Sequence, residues 1–177
     1  MNLKLLAEPF PAEDIEWRVG SIYSGRKSQP PTIKVLAYVT ARAIMQRLDD
    51  VCGPENWKNT SATIHNVGVF AVQVGIAIKL DGEWVTKYDV SEPPQFEPAK
   101  GSFSGAMKRA GSQWGIGRYL YGLTQNKASV AKQWKAGSYR AEHQGEVYWW
   151  TPPALPAWAL PEDDSQAAKE VPEEIPF

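Results

Sequence analysis

Apolar and polar positions change rhythm several times along the chain. From residue 57 to residue 90 the pattern is that of strands. Trp57 to His65, Val67 to Leu80 and Glu83 to Val90 are rich in β-branched and aromatic residues and are separated by turn signals. The strongest of these is Leu80-Asp81-Gly82-Glu83, because Asp-Gly supplies the positive φ of a tight hairpin turn; Asn66-Val67-Gly68 marks the other. A helical period precedes this block. Ala37, Ala41, Ile44, Leu48 and Val51 recur at spacings of three and four, which predicts a helix over 34–52 closed by Gly53-Pro54. A second helix is predicted over 102–114, with Phe103, Met107, Ala110 and Trp114 as its apolar stripe and Gly115-Ile116-Gly117 as its stop. Lys108 and Arg109 fall on the side of this helix away from the stripe, about 100° from each other.

The flanks are less regular. Ile15 to Tyr23 reads as a strand, 24–32 and 91–98 as loops, and Arg118 to Tyr121 as a turn or short helix. Residues 122–140 are basic and weakly patterned, and Val147 to Trp150 is a last strand. The prolines at 152, 153, 156 and 161 hold an extended stretch anchored by Trp158. Residues 162–176 lack a core pattern and are expected to be disordered. The whole reads as α+β, an antiparallel β-meander packed on helices, with one domain over 1–161 and an acidic tail over 162–177.

Composition narrows the function. A single cysteine, Cys52, excludes an intramolecular disulfide framework and suits a reducing, cytoplasmic setting. One cysteine and two distant histidines, His65 and His143, argue against structural zinc. The longest apolar run, Val69 to Ile78, is too short to span a bilayer, and no signal-peptide pattern opens the sequence. No membrane partner is expected.

The net charge of −1 conceals an asymmetry. Residues 162–177 hold six acids and one base, whereas residues 1–161 hold 18 bases and 14 acids. Residues 98–141 hold eight bases (Lys100, Lys108, Arg109, Arg118, Lys127, Lys132, Lys135 and Arg140) and no acid. A basic body with an acidic tail suits a polyanionic partner and a segment able to compete with it.

No phosphate-cradling Gly-x4-Gly-Lys-Ser/Thr loop occurs, and no nucleotide or other cofactor is implied. Asp81, Glu83 and Asp89 with Lys87 are the candidate residues for a metal-dependent nuclease centre, although Asp81 has a simpler role in the turn. No other catalytic set is apparent, so a binding protein is expected rather than an enzyme. Lys108 and Arg109 are the leading candidates for phosphate contact, followed by Arg118, Arg42 and Lys58, with Trp114, Tyr119 and Tyr121 near enough in sequence to stack on bases. The C-terminal Glu173-Glu174-Ile175-Pro176-Phe177 combines acids with a terminal aromatic, which suits docking into a small apolar pocket ringed by bases.

The segment from Lys100 to Tyr121, with Lys108-Arg109-Ala110 followed by Gly115-Ile116-Gly117-Arg118-Tyr119-Leu120-Tyr121, resembles the Rad52/22 family of single-strand annealing proteins, especially its phage members. Pro9-Phe10-Pro11 with Trp17-Arg18, Arg47-Leu48-Asp49 leading to Val51 through Trp57, Gly82-Glu83-Trp84-Val85 with Lys87 and Asp89, and Leu155 through Pro161 add to the resemblance, which covers residues 9–161. It implies a β-β-β-α core, closed homo-oligomeric rings and a basic groove that holds single-stranded DNA by its backbone. It also implies ATP-independent annealing of complementary strands in homologous recombination and repair. By position Lys108 and Arg109 match the family's groove-lining pair, and Lys100 a lysine upstream of it. Gly105, Ser112 and Pro54 depart from residues common in the family. The tail resembles the acidic tip of bacterial single-stranded-DNA-binding proteins, which recruits replication and repair partners. An adaptor acting through that tail is the alternative function, with the nuclease after it.

Overall fold

In the computed structural model the described residues are 1–25, 29–66, 69–92, 98–124 and 126–162. They gather into two compact units. The first comprises Met1–Phe10 and Val39–Tyr119, the second Pro11–Tyr38 and the chain from Leu120 onward.

The first unit is built on three antiparallel strands, β3 (Trp57–Asn66), β4 (Val69–Leu80) and β5 (Glu83–Ser91), in the order β3-β4-β5. Asp81 (φ 49°) and Gly82 (φ 90°) form the turn between β4 and β5 that the Asp-Gly pair predicts. Pairing runs from Leu80↔Glu83 to Val72↔Ser91 on one side of β4 and from Trp57↔Ile78 on the other. Val74, Ile76 and Ile78 alternate onto the face covered by α2 (Pro98–Gln113) and are fully buried. The helix meets them with Ser102, Ala106, Met107 and Ala110, all buried. Phe103, expected on the stripe, is 38% exposed. The buried face keeps Met107 and Ala110 and takes in Ser102 and Ala106, so it is displaced toward the 102/106 side of the expected stripe.

Helix α1 (Ala41–Cys52) packs beside α2, with Ile44 within ordinary contact distance of a Cβ placed at Gly111. Thr40 caps it: the Thr40 hydroxyl accepts from the Ala43 N–H at 3.0 Å. Gly53 ends it at φ 83°, donating to the Asp49 carbonyl. The residues before this helix are a strand, β2 (Thr32–Val39), and not the first half of a longer helix as the period suggested. Ile33, Val35 and Val39 are buried while Thr32 and Leu36 are exposed, so alternation takes over ahead of the Thr40 cap. Ala37 and Ala41 fit either period, and this extended the helical reading backward.

Several motif residues serve this frame. Arg47 donates to the carbonyls of Leu5, Glu8 and Pro9 and lies 4.0 Å from the Phe10 ring, binding the N-terminal segment to α1. Asp49 accepts from the Trp57 indole at 2.6 Å, and Asn56 donates to the Cys52 carbonyl at 2.9 Å, which together fix the path from α1 into β3. Burial pushes the Cys52 thiol up from its ordinary pKa.

The second unit contains a two-stranded sheet, β1 (Ile15–Tyr23) with β2, and a three-stranded sheet ordered β6-β8-β7 (Ser129–Ala131, Glu146–Thr151, Tyr139–His143). Ile33, Val35, Ala141 and Trp150 form its core, with Trp17, Val19 and Ile22 packed against them. Tyr139 stacks on Trp150 with ring centroids 4.7 Å apart. Lys34 and Lys127 form an antiparallel bridge at the edge of β2, flanked by the Val35 N–H to Asn126 carbonyl bond at 2.8 Å. Among the described residues no helix is long and apolar enough to cross a membrane.

Candidate nucleic-acid interface

The eight bases of the acid-free segment divide between the units. Lys100, Lys108, Arg109 and Arg118 belong to the first, and Lys127, Lys132, Lys135 and Arg140 to the second. Folding also brings acids to several of them from neighbouring strands. In the second unit Lys132 meets Glu146 at 2.5 Å and lies 4.3 Å from the Tyr148 ring, and Arg140 meets Glu142 at 3.1 Å. These are exposed pairs, of a kind worth little to stability. Lys127 and Lys135 are exposed.

In the first unit α2 carries three of the candidates. Lys100 stands in its first turn, its side chain outside the described residues. Lys108 is half-buried, and Arg109 has 61% of its side chain exposed. The Arg109 Nε donates to Asp89 Oδ1 at 3.0 Å, from the helix to β5. Asp89 Oδ1 also accepts from the Val90 N–H at 2.8 Å, and Oδ2 from Gln113 Nε2 at 3.2 Å. Burial pushes the Asp89 carboxyl up, but hydrogen bonds from Arg109, Val90 and Gln113, with the Arg109 charge, outweigh it and hold the pKa below its ordinary value.

Arg118 has a second task. Its Nε donates to the Ser112 carbonyl at 2.6 Å and Nη2 to the Gln113 carbonyl at 2.7 Å, while the side chain remains exposed. Lys87 Nζ reaches the same Gln113 carbonyl at 3.0 Å and lies 4.2 Å from the Trp114 ring. Two cations therefore complete the C-terminal end of α2, where unpaired carbonyls and the helix dipole favour positive charge. The Trp114 indole donates to the Ile76 carbonyl at 2.9 Å, and the Tyr119 hydroxyl accepts from the Phe10 N–H at 2.9 Å. Both rings are tied into the unit, whereas Tyr121 is 77% exposed.

The remaining candidates lie on other elements. Arg42 is exposed in the first turn of α1. Lys58 is exposed on β3 with Nζ 4.1 Å from the Trp84 ring. Glu173, Glu174, Ile175, Pro176 and Phe177 lie outside the described residues. Of the set considered for a nuclease, Asp81 shapes the turn, Lys87 serves the helix end and Asp89 holds Arg109. Among the described residues no three His, Cys, Asp or Glu side chains gather as a metal site. The sequence reading missed Gln113. Its spacing of four from Arg109 is the signal that puts both on one helix face toward the same carboxylate.

A three-stranded meander followed by a helix bearing an exposed basic residue gives the first unit a β-β-β-α order. A profile of the family described as "Rad52/22 family double-strand break repair protein" matches residues 2–139, and the chain belongs to that family. It is 33% identical over 163 residues to a protein of Deinococcus radiodurans named single-stranded DNA-binding protein DdrA, covering 91% of this chain and 68% of the relative. A protein of the same name from Deinococcus deserti is 32% identical over 163 residues, covering 91% of this chain and 71% of the relative.

Proposed function

We propose that this protein binds single-stranded DNA and anneals complementary strands without ATP, in homologous recombination and DNA repair. The observation that carries this reading is the alignment of 91% of the chain with proteins named for single-stranded DNA binding, within a family described as acting in double-strand break repair. The geometry of α2 supports it. Arg109 is exposed, yet fixed at its base by Asp89, and Lys108 precedes it on the same helix. Cations of this kind neutralise phosphates and release counterions without regard to base sequence. A strand held by its backbone keeps its base edges available, so a second strand can test pairing, and stacking drives the product.

Lys100, Arg118, Arg42 and Lys58 extend this proposed contact set, Arg118 alongside its role at the helix end. A closed homo-oligomeric ring would repeat one modest site many times and gain avidity. Residues 162–177, with six acids against one base, are read as a tail distinct from the 1–161 domain. They would compete with DNA and, through Glu173 to Phe177, dock on replication or repair proteins. The setting is cytoplasmic, and no catalytic step is assigned to any residue.

The test is the double variant Lys108→Ala/Arg109→Ala. It is expected to retain its fold and oligomeric mass and to lose binding to a dye-labelled oligonucleotide. A correctly assembled double variant that binds like the wild type would defeat the assignment.

A further inference from the structure

We propose that Asp89 is a positioning residue for nucleic-acid contact: it sets the Arg109 guanidinium by its Nε so that the terminal nitrogens remain available to phosphate. The inference rests on the assignment of Arg109 as a DNA contact and goes beyond it, because Asp89 carries the charge that DNA repels.

The geometry distinguishes a support from a neutralising partner. The contact uses Nε and leaves four N–H donors of an exposed guanidinium unspent in it. Asp89 does not depend on Arg109 for its own place. The Val90 N–H holds Oδ1 from the strand, Gln113 holds Oδ2 from the next turn of α2, and only 23% of the Asp89 side chain is exposed. Gln113 is anchored in turn, since its Nε2 also donates to the Tyr88 carbonyl. The carboxylate is thus fixed by two backbone-anchored groups before Arg109 reaches it. A long cationic side chain otherwise loses rotamer freedom when it meets a phosphate, and a fixed Nε removes part of that cost.

The two views of Asp89 predict opposite signs. If it only neutralises Arg109, removing its charge strengthens DNA binding. If it positions Arg109, removal weakens binding in spite of the lost negative charge. Asp89→Asn keeps the shape but removes the charge and one of two acceptors, so it cannot serve the Arg109 Nε and Val90 N–H at Oδ1 and the Gln113 amide at Oδ2 together. Binding of a dye-labelled oligo-dT would be measured by anisotropy across a salt series for wild type, Asp89→Asn, Arg109→Ala and the double variant. We expect Asp89→Asn to bind roughly three- to tenfold more weakly, in line with the cost of ordering one long side chain. Its log–log salt slope should flatten, by up to the roughly 0.7 assigned to one phosphate contact on single strands. In the Arg109→Ala background the same substitution should produce no loss.

Binding by Asp89→Asn equal to or tighter than wild type would overturn the proposal. So would an equal loss in both backgrounds, which would make Asp89 a support of the fold alone. Asp89→Glu guards against a folding defect in the amide, since it keeps the charge and displaces the carboxylate by one methylene. It too should weaken binding, and wild-type affinity from it would count against positioning. Wild-type affinity in Arg109→Ala itself would locate the failure in the DNA-contact assignment, and the proposal would fall with it.

Discussion

At the scale of single residues, the basic side chains divide by what they already hold. Arg109 leaves most of its guanidinium unspent, whereas Arg118 gives two short charged hydrogen bonds to the carbonyls of residues 112 and 113. Charged donors at a helix C-terminus satisfy orphan carbonyls and complement the dipole. Arg118→Ala is therefore expected to lower stability by about 1–2 kcal/mol, read as a lower urea midpoint with an unchanged slope. An unaltered midpoint would mean that Lys87 alone suffices to complete that end. Sequence reasoning places Arg118 after Arg109 as a phosphate contact but does not reveal its task at the helix end, because that task lies in backbone carbonyls, which every residue possesses and no pattern of side chains marks. Arg47 is similar. Its three carbonyl contacts and the Phe10 ring give it a structural task that the motif alone does not specify.

At the scale of elements, the meander was legible because its signals are local. Asp81-Gly82 dictates a turn, and the runs on either side have strand composition. The helix α2 was legible in its existence and its stop, with Gly115 at φ 98° and Gly117 at φ 66°. A Cβ at Gly117 would stand 2.9 Å from Val39 Cγ2, so the residue is required for space as well as for φ. The division of residues 32–52 into β2 and α1 was not legible by periodicity, since alanines at 37 and 41 satisfy either rhythm. The Thr40 cap was the local signal that decides it. Strands β6 and β7 have three and five residues and are defined by pairing with β8, so their cause is tertiary.

At the scale of the whole molecule, the acid-free stretch read from the sequence becomes two sets of four cations on two compact units, with acids from outside that stretch reaching Arg109, Lys132 and Arg140. Linear charge runs overstate the positive field, and the exposure and pairing of each group decide what a polyanion meets. Residues 162–177, six acids against one base, carry a net charge of −5 and would compete with DNA in the proposed reading. Deleting them is expected to leave annealing of naked strands intact or faster, as measured on oligonucleotides at low salt; a sharp loss would contradict a competing tail. The central claim is annealing itself. Its most direct test is the rate at which two complementary dye-labelled oligonucleotides pair in the presence of the protein, without ATP, with and without Mg²⁺. Pairing faster than in the protein-free control is expected, with both strands recovered intact. Tight binding without faster pairing, or shortened strands in Mg²⁺, would contradict it.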